Sequence, residues 1–363
     1  MNLRRLGSII VKELRQLRRD RLTFAMIIGI PTMQLVLFGY AINMDVRHLE
    51  AAVLDQANTA RSRELIADLA TTEVMHFGRH ATSPQEIAAL LRTGDISAAL
   101  VIPPDFESRL ERRDRPAAQI VVDGSEQVIQ AAARQLAAFP IYDDAGWTGT
   151  VHGVEVVNFY NPQRRAALNT VPGLVGVILT MTMVLFTAIA LVRERERGNL
   201  EMLIATPVSP WELTLGKVLP FVAIGLVQVT VVLTLGKLLF DVPLRGSLAE
   251  LYLAALVFIV ASLALGVFLS TLARSQFQAM QMAFFTFLPQ ILLSGFMFPY
   301  AGMPVAAQYA AEILPLTHFL RLIRGIMLRG ADLTELWPSL ASLGVFIVVM
   351  LGVAVSRVRK RLD

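Results

Sequence analysis

The chain has 363 residues, 55% of them hydrophobic and only 17% charged, with a mean hydropathy of +0.56. A soluble domain carries roughly 25% charged residues, so an ordinary cytosolic enzyme and a disordered chain are both excluded. There is no cysteine, which removes disulfides, thiolate metal sites and a cysteine nucleophile, and the net charge of +4 rests on 29 Arg and 4 Lys.

In chain order, Leu3, Leu6, Ile9, Ile10, Leu14 and Leu17 share one helical face, while Arg4, Arg5, Lys12, Arg15, Arg18 and Arg19 mostly take the other. Over 1–21 this predicts an amphipathic helix lying in the membrane interface, with Arg heads at anionic lipid; a plain positively charged anchor fits the same pattern. Residues 22–42 then form an apolar run long enough to cross a ~30 Å hydrocarbon layer. A 21-residue leader and the exit Asn43-Met44-Asp45 mark the segment 22–43 as a retained helix and not a signal peptide.

Segment 44–170 has soluble composition and an α/β rhythm. Strands are predicted at 50–54, 73–77, 98–102, 119–122 and 154–159, with helices at 62–70, 103–113 and 124–138. Ser83-Pro84-Gln85-Glu86 is a helix start in which Ser83 caps, Pro84 takes the first turn and Glu86 reaches back. His76 and His80 stand four apart, but Gly78 lies between them and no acidic ligand is expected nearby, so a surface coincidence outweighs a metal site.

Further apolar spans follow at 171–192, 218–240, 248–272, 280–298 and 339–356, giving six in all. The stretch 303–327 is broken by Pro304 and Pro315 and reads as one or two short re-entrant or interfacial helices. Lys237 and Glu250 sit at span ends, where snorkelling or a mutual ion pair across 241–246 accounts for both. Gln34, Gln228 and Gln290 are expected in helix–helix contacts, and Pro31, Pro172, Pro220 and Pro289 kink spans or mark their ends.

The positive-inside rule sets the orientation. The N-terminus, the loops 193–217 and 273–279 and the C-terminus together hold 16 Lys and Arg, whereas 44–170 has a net charge of −5. Both termini are therefore expected in the cytoplasm, and 44–170 outside. The fold class is all-α polytopic, with six transmembrane helices, a re-entrant outer hairpin between the fifth and sixth, and a small α/β domain inserted after the first.

The most informative stretch is Arg193-Glu194-Arg195-Glu196-Arg197-Gly198-Asn199-Leu200-Glu201-Met202-Leu203-Ile204-Ala205-Thr206-Pro207. A span ends in charges of alternating sign, Gly198 permits a sharp turn, and Asn199 can cap a short helix that Thr206-Pro207 ends. A solvated loop with weak ion pairs fits this pattern, and so does a rigid helix that passes force from a soluble motor. Ser209-Pro210-Trp211-Glu212 starts the next helix.

This stretch resembles the cytoplasmic signature loop of ABC-2-type transporter permeases, close to R-E-R-E-x-G-T-L-E-x-L-x-x-T-P, with Asn199 where Thr is common. Three other stretches resemble the same family: Asn158-Phe159-Tyr160-Asn161-Pro162 with Val171-Pro172-Gly173-Leu174-Val175-Gly176; Leu293-Ser294-Gly295-Phe296-Met297-Phe298-Pro299 with Met303-Pro304; and Leu314-Pro315-Leu316-Thr317-His318-Phe319 with Arg324-Gly325. The likeness spans the chain, including the long insert after the first span, as in inner-membrane permeases of bacterial multidrug-type exporters.

The resemblance implies half of an export path for a drug-like or amphipathic substrate, completed by an identical or paralogous permease. A cytoplasmic ATP-binding subunit would dock on the helix at about 199–206 and on the N-terminal helix. Arg193, Glu194, Arg195, Glu196, Gly198, Asn199, Leu200, Glu201, Leu203, Thr206 and Pro207 would carry that coupling. Gly295, Pro299, Pro304, Pro315, Thr317, His318 and Arg324 mark the outer segment, where Glu312 and Arg321 also lie, either as a gate or as one face of a half-buried hairpin.

The chain itself would bind no cofactor, since Gly216-Lys217-Val218 and Gly236-Lys237-Leu238 fail the phosphate-loop pattern; ATP and magnesium belong to the partner. A periplasmic adaptor would point to drug-type efflux, and no nucleic-acid partner is expected. Lipid, polysaccharide or sodium export is the alternative within transport. A membrane-anchored sensor or adaptor is the alternative from another class, but the cytoplasmic loops leave little room for an output domain. A membrane hydrolase would need paired acids or a His-Glu set at bilayer depth, and a secondary transporter often has mid-bilayer acids and internal repeats; neither pattern is present.

Overall fold

The computed structural model describes residues 49–124 except 73 and 113, the positions 129, 133 and 136, residues 154–196 except 162 and 164, and residues 210–359 except 299; at 166, 210–219, 301, 358 and 359 it describes the backbone alone. The N-terminal helix, the first span, the 199–206 helix and Pro299 lie outside the described residues.

The α/β segment folds as expected. Its strands are β1 (Leu49–Asp55), β2 (Met75–His80), β3 (Ala98–Ile102), β4 (Ala118–Val122) and β5 (Val154–Asn158), in the order β2-β1-β3-β4-β5. Neighbours run parallel except β3 and β4, which are antiparallel. The middle strands read as apolar runs because both faces are covered. Ala51, Leu100 and Ile120 face the side packed by Leu65 and Leu69 of α1 (Ala60–Thr71), by Phe106 of α3 (Phe106–Arg112), and by the helical positions Ile129, Ala133 and Leu136. Ala52, Leu54, Ala99 and Val121 face the other way, onto Ile87 and Leu91 of α2 (Pro84–Thr93).

Two details depart from the sequence reading. β2 runs on past Phe77 because the register slips there, pairing Ala51 with Phe77 and Ala52 with Arg79; Gly78 is absorbed as a bulge instead of ending the strand. Ser83 caps α2 through the Glu86 amide at 3.2 Å, but the Glu86 carboxylate reaches one residue further back, accepting the Thr82 amide and hydroxyl at 2.8 Å each. His76 does meet an acid in space, with Glu50 on the neighbouring strand at 3.6 Å, but both side chains are exposed and no metal-binding group occurs among the described residues.

The remaining helices are α4 (Ala166–Glu196), α5 (Pro210–Phe240), α6 (Leu248–Leu272), α7 (Gln276–Leu293), α8 (Val305–Glu312), α9 (Pro315–Arg324) and α10 (Trp337–Arg359). Among the described residues, four helices are long and apolar enough to cross a membrane: Ala167–Glu196, Pro220–Phe240, Leu248–Leu272 and Trp337–Arg357. α7 falls short of them in apolarity because it carries Gln276, Gln278, Gln281 and Gln290. It also ends five residues earlier than its apolar run, since Gly295 adopts φ +86° and breaks the helix. Pro172, Pro220 and Pro289 all lie inside helices.

α6 is the axis of the bundle. Ala254, Ala255, Phe258 and Ile259 are fully buried, and the Phe258 ring stacks on Phe319 of α9 with centroids 4.1 Å apart. α5 and α10 instead present apolar rows outward, including Val227, Leu238, Val345 and Val348. Such rows are stable where the surrounding solvent is hydrocarbon.

The sheet domain sits on one end of this bundle. Arg329, in the π-helical turn Gly325–Arg329 after α9, reaches Asp123 at 3.6 Å with side chains only 10% and 7% exposed. Arg92 of α2 pairs with Glu335 at 2.7 Å. Arg245 donates to the Tyr160 carbonyl at 3.2 Å and lies 5.5 Å over its ring. Lys237 and Glu250 do not pair with each other: Lys237 meets Asp241 on its own turn, and Glu250 accepts the Leu333 amide at 3.1 Å.

Candidate functional site

Three arrangements carry chemistry. The first lies at the end of the bundle far from the sheet, where α4 finishes in Arg193, Glu194, Arg195 and Glu196. Helix ends leave carbonyls unpaired at the C-terminus and amides unpaired at the N-terminus, with partial charges to match. Arg195 donates to the Ser270 carbonyl at 2.7 Å and to the Ala273 carbonyl, both at the C-terminal end of α6. Glu196 accepts the Gln276 amide at 3.0 Å and the Gln276 side-chain amide at 2.5 Å, at the first residue of α7. Adjacent residues of opposite sign thus hold the two opposite ends that meet at the α6–α7 turn. Arg193 is exposed, while Gly198, Asn199, Leu200, Glu201, Leu203, Thr206 and Pro207 lie outside the described residues.

The second arrangement is at the sheet-domain end. Pro304 precedes α8, and Pro315 takes the first turn of α9, where its missing amide costs nothing. Glu312 accepts the Tyr300 hydroxyl at 2.6 Å and both terminal nitrogens of Arg321, whose guanidinium lies 4.7 Å over the Tyr300 ring. Burial raises the Glu312 carboxyl, but the hydrogen bonds from Arg321 and Tyr300 outweigh it and leave it below its usual range. Burial, followed by the hydrogen bond to Glu312, pushes the Tyr300 phenol up to about 12.

Burial likewise lowers His318, which is therefore neutral near pH 7. Its Nε2–H donates to the Glu312 carbonyl at 2.8 Å, while Nδ1 is buried with no hydrogen-bond partner among the described residues. Thr317 and Arg324 are buried on the same helix, and Gly295 supplies the left-handed turn before Tyr300. The sequence brought out Glu312, His318, Arg321 and Arg324; it missed Tyr300, whose only sign was an aromatic beside Pro299.

The third arrangement is a small, half-open cavity between α4 and α7, about 250 Å³ only when the open space at its mouth is counted, lined by Thr180, Met181, Val184, Leu185, Ala283, Phe284, Phe287 and Gln290. Gln290 is 1% exposed, and among the described residues neither atom of its amide has a partner. By contrast Gln228 behaves as expected, accepting the Thr182 hydroxyl at 2.9 Å between α4 and α5.

Helices with lipid-compatible outer faces, packed on one another and bearing a sheet domain at one end, define a polytopic membrane protein. A family comparison fixes its kind: residues 21–356 match the ABC-2 family transporter proteins, and the chain belongs to that family. It is similar to the probable multidrug ABC transporter permease YbhS of Escherichia coli (strain K12), at 29% identity over 99% of this chain and 98% of that one. It is 30% identical to the probable multidrug ABC transporter permease YbhR of the same organism, over 93% of each. It is also 23% identical to ABC transporter G family member 20 of Dictyostelium discoideum, over 94% of this chain but 48% of that protein. The resemblance drawn from the signature loop therefore holds. The chain is the permease subunit of an ABC transporter, and ATP hydrolysis belongs to a separate ATP-binding subunit.

Proposed function

We propose that this permease exports drug-like or amphipathic compounds across a bacterial inner membrane, as one half of a homo- or heterodimer. The observation that carries the reading is the likeness, along nearly the whole chain, to two permeases whose names specify multidrug transport. In this reading both termini are cytoplasmic and the sheet domain is extracytoplasmic. The six spans are 22–42, α4, α5, α6, α7 and α10, and α8 with α9 forms the re-entrant outer segment. The ATP-binding subunit docks on 199–206 and on the N-terminal helix, and a periplasmic adaptor meets the sheet domain.

The α4–α7 cavity does not enclose such cargo, but it shows the kind of wall the cargo would meet. An apolar wall with one buried amide favours a hydrocarbon body that carries a single hydrogen-bonding group. The test is reconstitution of the chain with the ATP-binding subunit encoded beside it, followed by ATP-driven uptake of amphipathic dyes into inverted vesicles. Dye uptake that needs both subunits is expected. Transport that persists without the ATPase, or a complex that moves only sodium or lipid, overturns the reading.

A further inference from the structure

Arg195 and Glu196 stand in the segment expected to meet the ATPase, yet they bond inward, to the facing ends of α6 and α7. Arg195 sits on two carbonyls at the end of α6, and Glu196 sits on the amide and side chain that open α7. We infer that these two are positioning residues of transport: they tie the end of α4 to the α6–α7 turn, so that a push on the 199–206 loop moves the start of α7 together with α4. The inference rests on the reading of 199–206 as the docking element.

The geometry supports a relay. α6 ends at Leu272 and α7 begins at Gln276, so only a short turn separates the two ends that Arg195 and Glu196 hold. Charge and helix end are opposite in sign at both, which makes each contact directional. Above the tie, α4 and α7 pack through Val184, Ala188, Ala279 and Ala283, all buried, so a displacement at the base is carried by close-packed side chains. Gln290 lies 14 residues along α7 from Gln276, about 21 Å away at 1.5 Å per residue, on the wall of the cavity. A docking role for Glu196 would need its carboxylate to turn outward and give up both bonds to Gln276. The relay keeps them.

The two roles separate by experiment on the full chain with its ATP-binding subunit in proteoliposomes. The variants are Glu196→Ala, Gln276→Ala, Glu201→Ala and the exchange Glu196→Gln with Gln276→Glu. In the exchange, the new amide at 196 accepts the backbone N–H of position 276 in the native sense and donates to the new carboxylate there, so both bonds return and only the side-chain one is reversed.

Glu196→Ala and Gln276→Ala are each expected to co-purify with the ATPase and hydrolyse ATP while transport falls about tenfold; the exchange restores most of it, and Glu201→Ala instead weakens co-purification. If Glu196→Ala releases the ATPase while Gln276→Ala does not, or if the exchange transports no better than the poorer single variant, the inference falls. Where a single variant fails to accumulate in the membrane, the exchange decides alone. A wild-type chain that holds no ATPase would overturn the docking reading first, a result distinct from failed rescue in an intact complex.

Discussion

At the scale of single residues, the α8–α9 junction predicts how the protein responds to acid. Tyr300, Glu312, His318 and Arg321 form one network, and Glu312 and Arg321 are the charged groups facing the imidazole. His318 is held below its ordinary 6.5 by burial, so the unfolded chain binds a proton on this side chain more readily than the folded one. Stability therefore rises with pH through the window beneath 6.5 and falls on acidification. Glu312, also depressed, contributes stability above the ordinary carboxylate value of 4.5 that is lost only as pH drops through its folded value.

Thermal unfolding of the detergent-solubilised protein is expected to show a falling midpoint between about pH 7 and about pH 5.5, and His318→Gln is expected to flatten that segment. An unchanged slope in His318→Gln would assign the loss to other groups. Glu312→Gln is expected to cost only about 1 kcal/mol at pH 7, since both it and Arg321 are more than a third exposed and screened by solvent. The sequence placed Glu312, His318 and Arg321 in one segment, within three helical turns, but did not show that they pair. Tyr300 was hidden because the chain returns to bring it back.

At the scale of elements, alternation and hydropathy were enough where a helix or strand has one uniform environment. Leu248–Leu272 matches its predicted span at both ends, and Ala98–Ile102 matches its predicted strand. Boundaries went astray where one glycine decides between ending an element and bending it: Gly78 bends β2, whereas Gly295 ends α7. The π-helical turn Gly325–Arg329 had no periodic signature, because it is fixed by Gly246 and Arg245 donating to the carbonyls of Ile326 and Met327 at 3.0 Å each.

Helix packing gives a sharper prediction. A Cβ on Gly266 of α6 would lie 2.9 Å from the Val184 carbonyl oxygen of α4, a backbone atom that cannot turn aside. Gly266→Ala is expected to destabilise by about 1–3 kcal/mol through overpacking. A Cβ on Gly352 of α10 would meet nothing within 4 Å among the described residues, so Gly352→Ala should be neutral or gain up to about 1 kcal/mol from helix propensity. Melting midpoints of the two variants, measured side by side in one detergent, check the pair; a Gly266→Ala protein as stable as wild type would show that α4 and α6 are free to part.

At the scale of the whole molecule, the question is what fixes the sheet domain on the bundle. The sequence separated the two parts by composition but gave no sign of their junction, because its partners lie far apart along the chain: Asp123 with Arg329, and Arg92 with Glu335. These pairs are not equal. Arg92 is half exposed, so its pair with Glu335 is screened by salt and contributes about 0–1 kcal/mol. Asp123 and Arg329 are almost wholly buried, and removing one partner strands the other charge at a cost of about 3–5 kcal/mol.

The domain should therefore stay seated in high salt and loosen in Asp123→Asn. Hydrogen exchange on the reconstituted protein checks this at α2 and β4. Protection there is expected to be unchanged by added sodium chloride and by Glu335→Gln, and to drop in Asp123→Asn. The double variant Asp123→Asn with Arg329→Met should recover part of that protection, because no lone charge remains buried. If protection in Asp123→Asn matched wild type while salt alone reduced it, the exposed pair would be the fastening and the buried one a bystander.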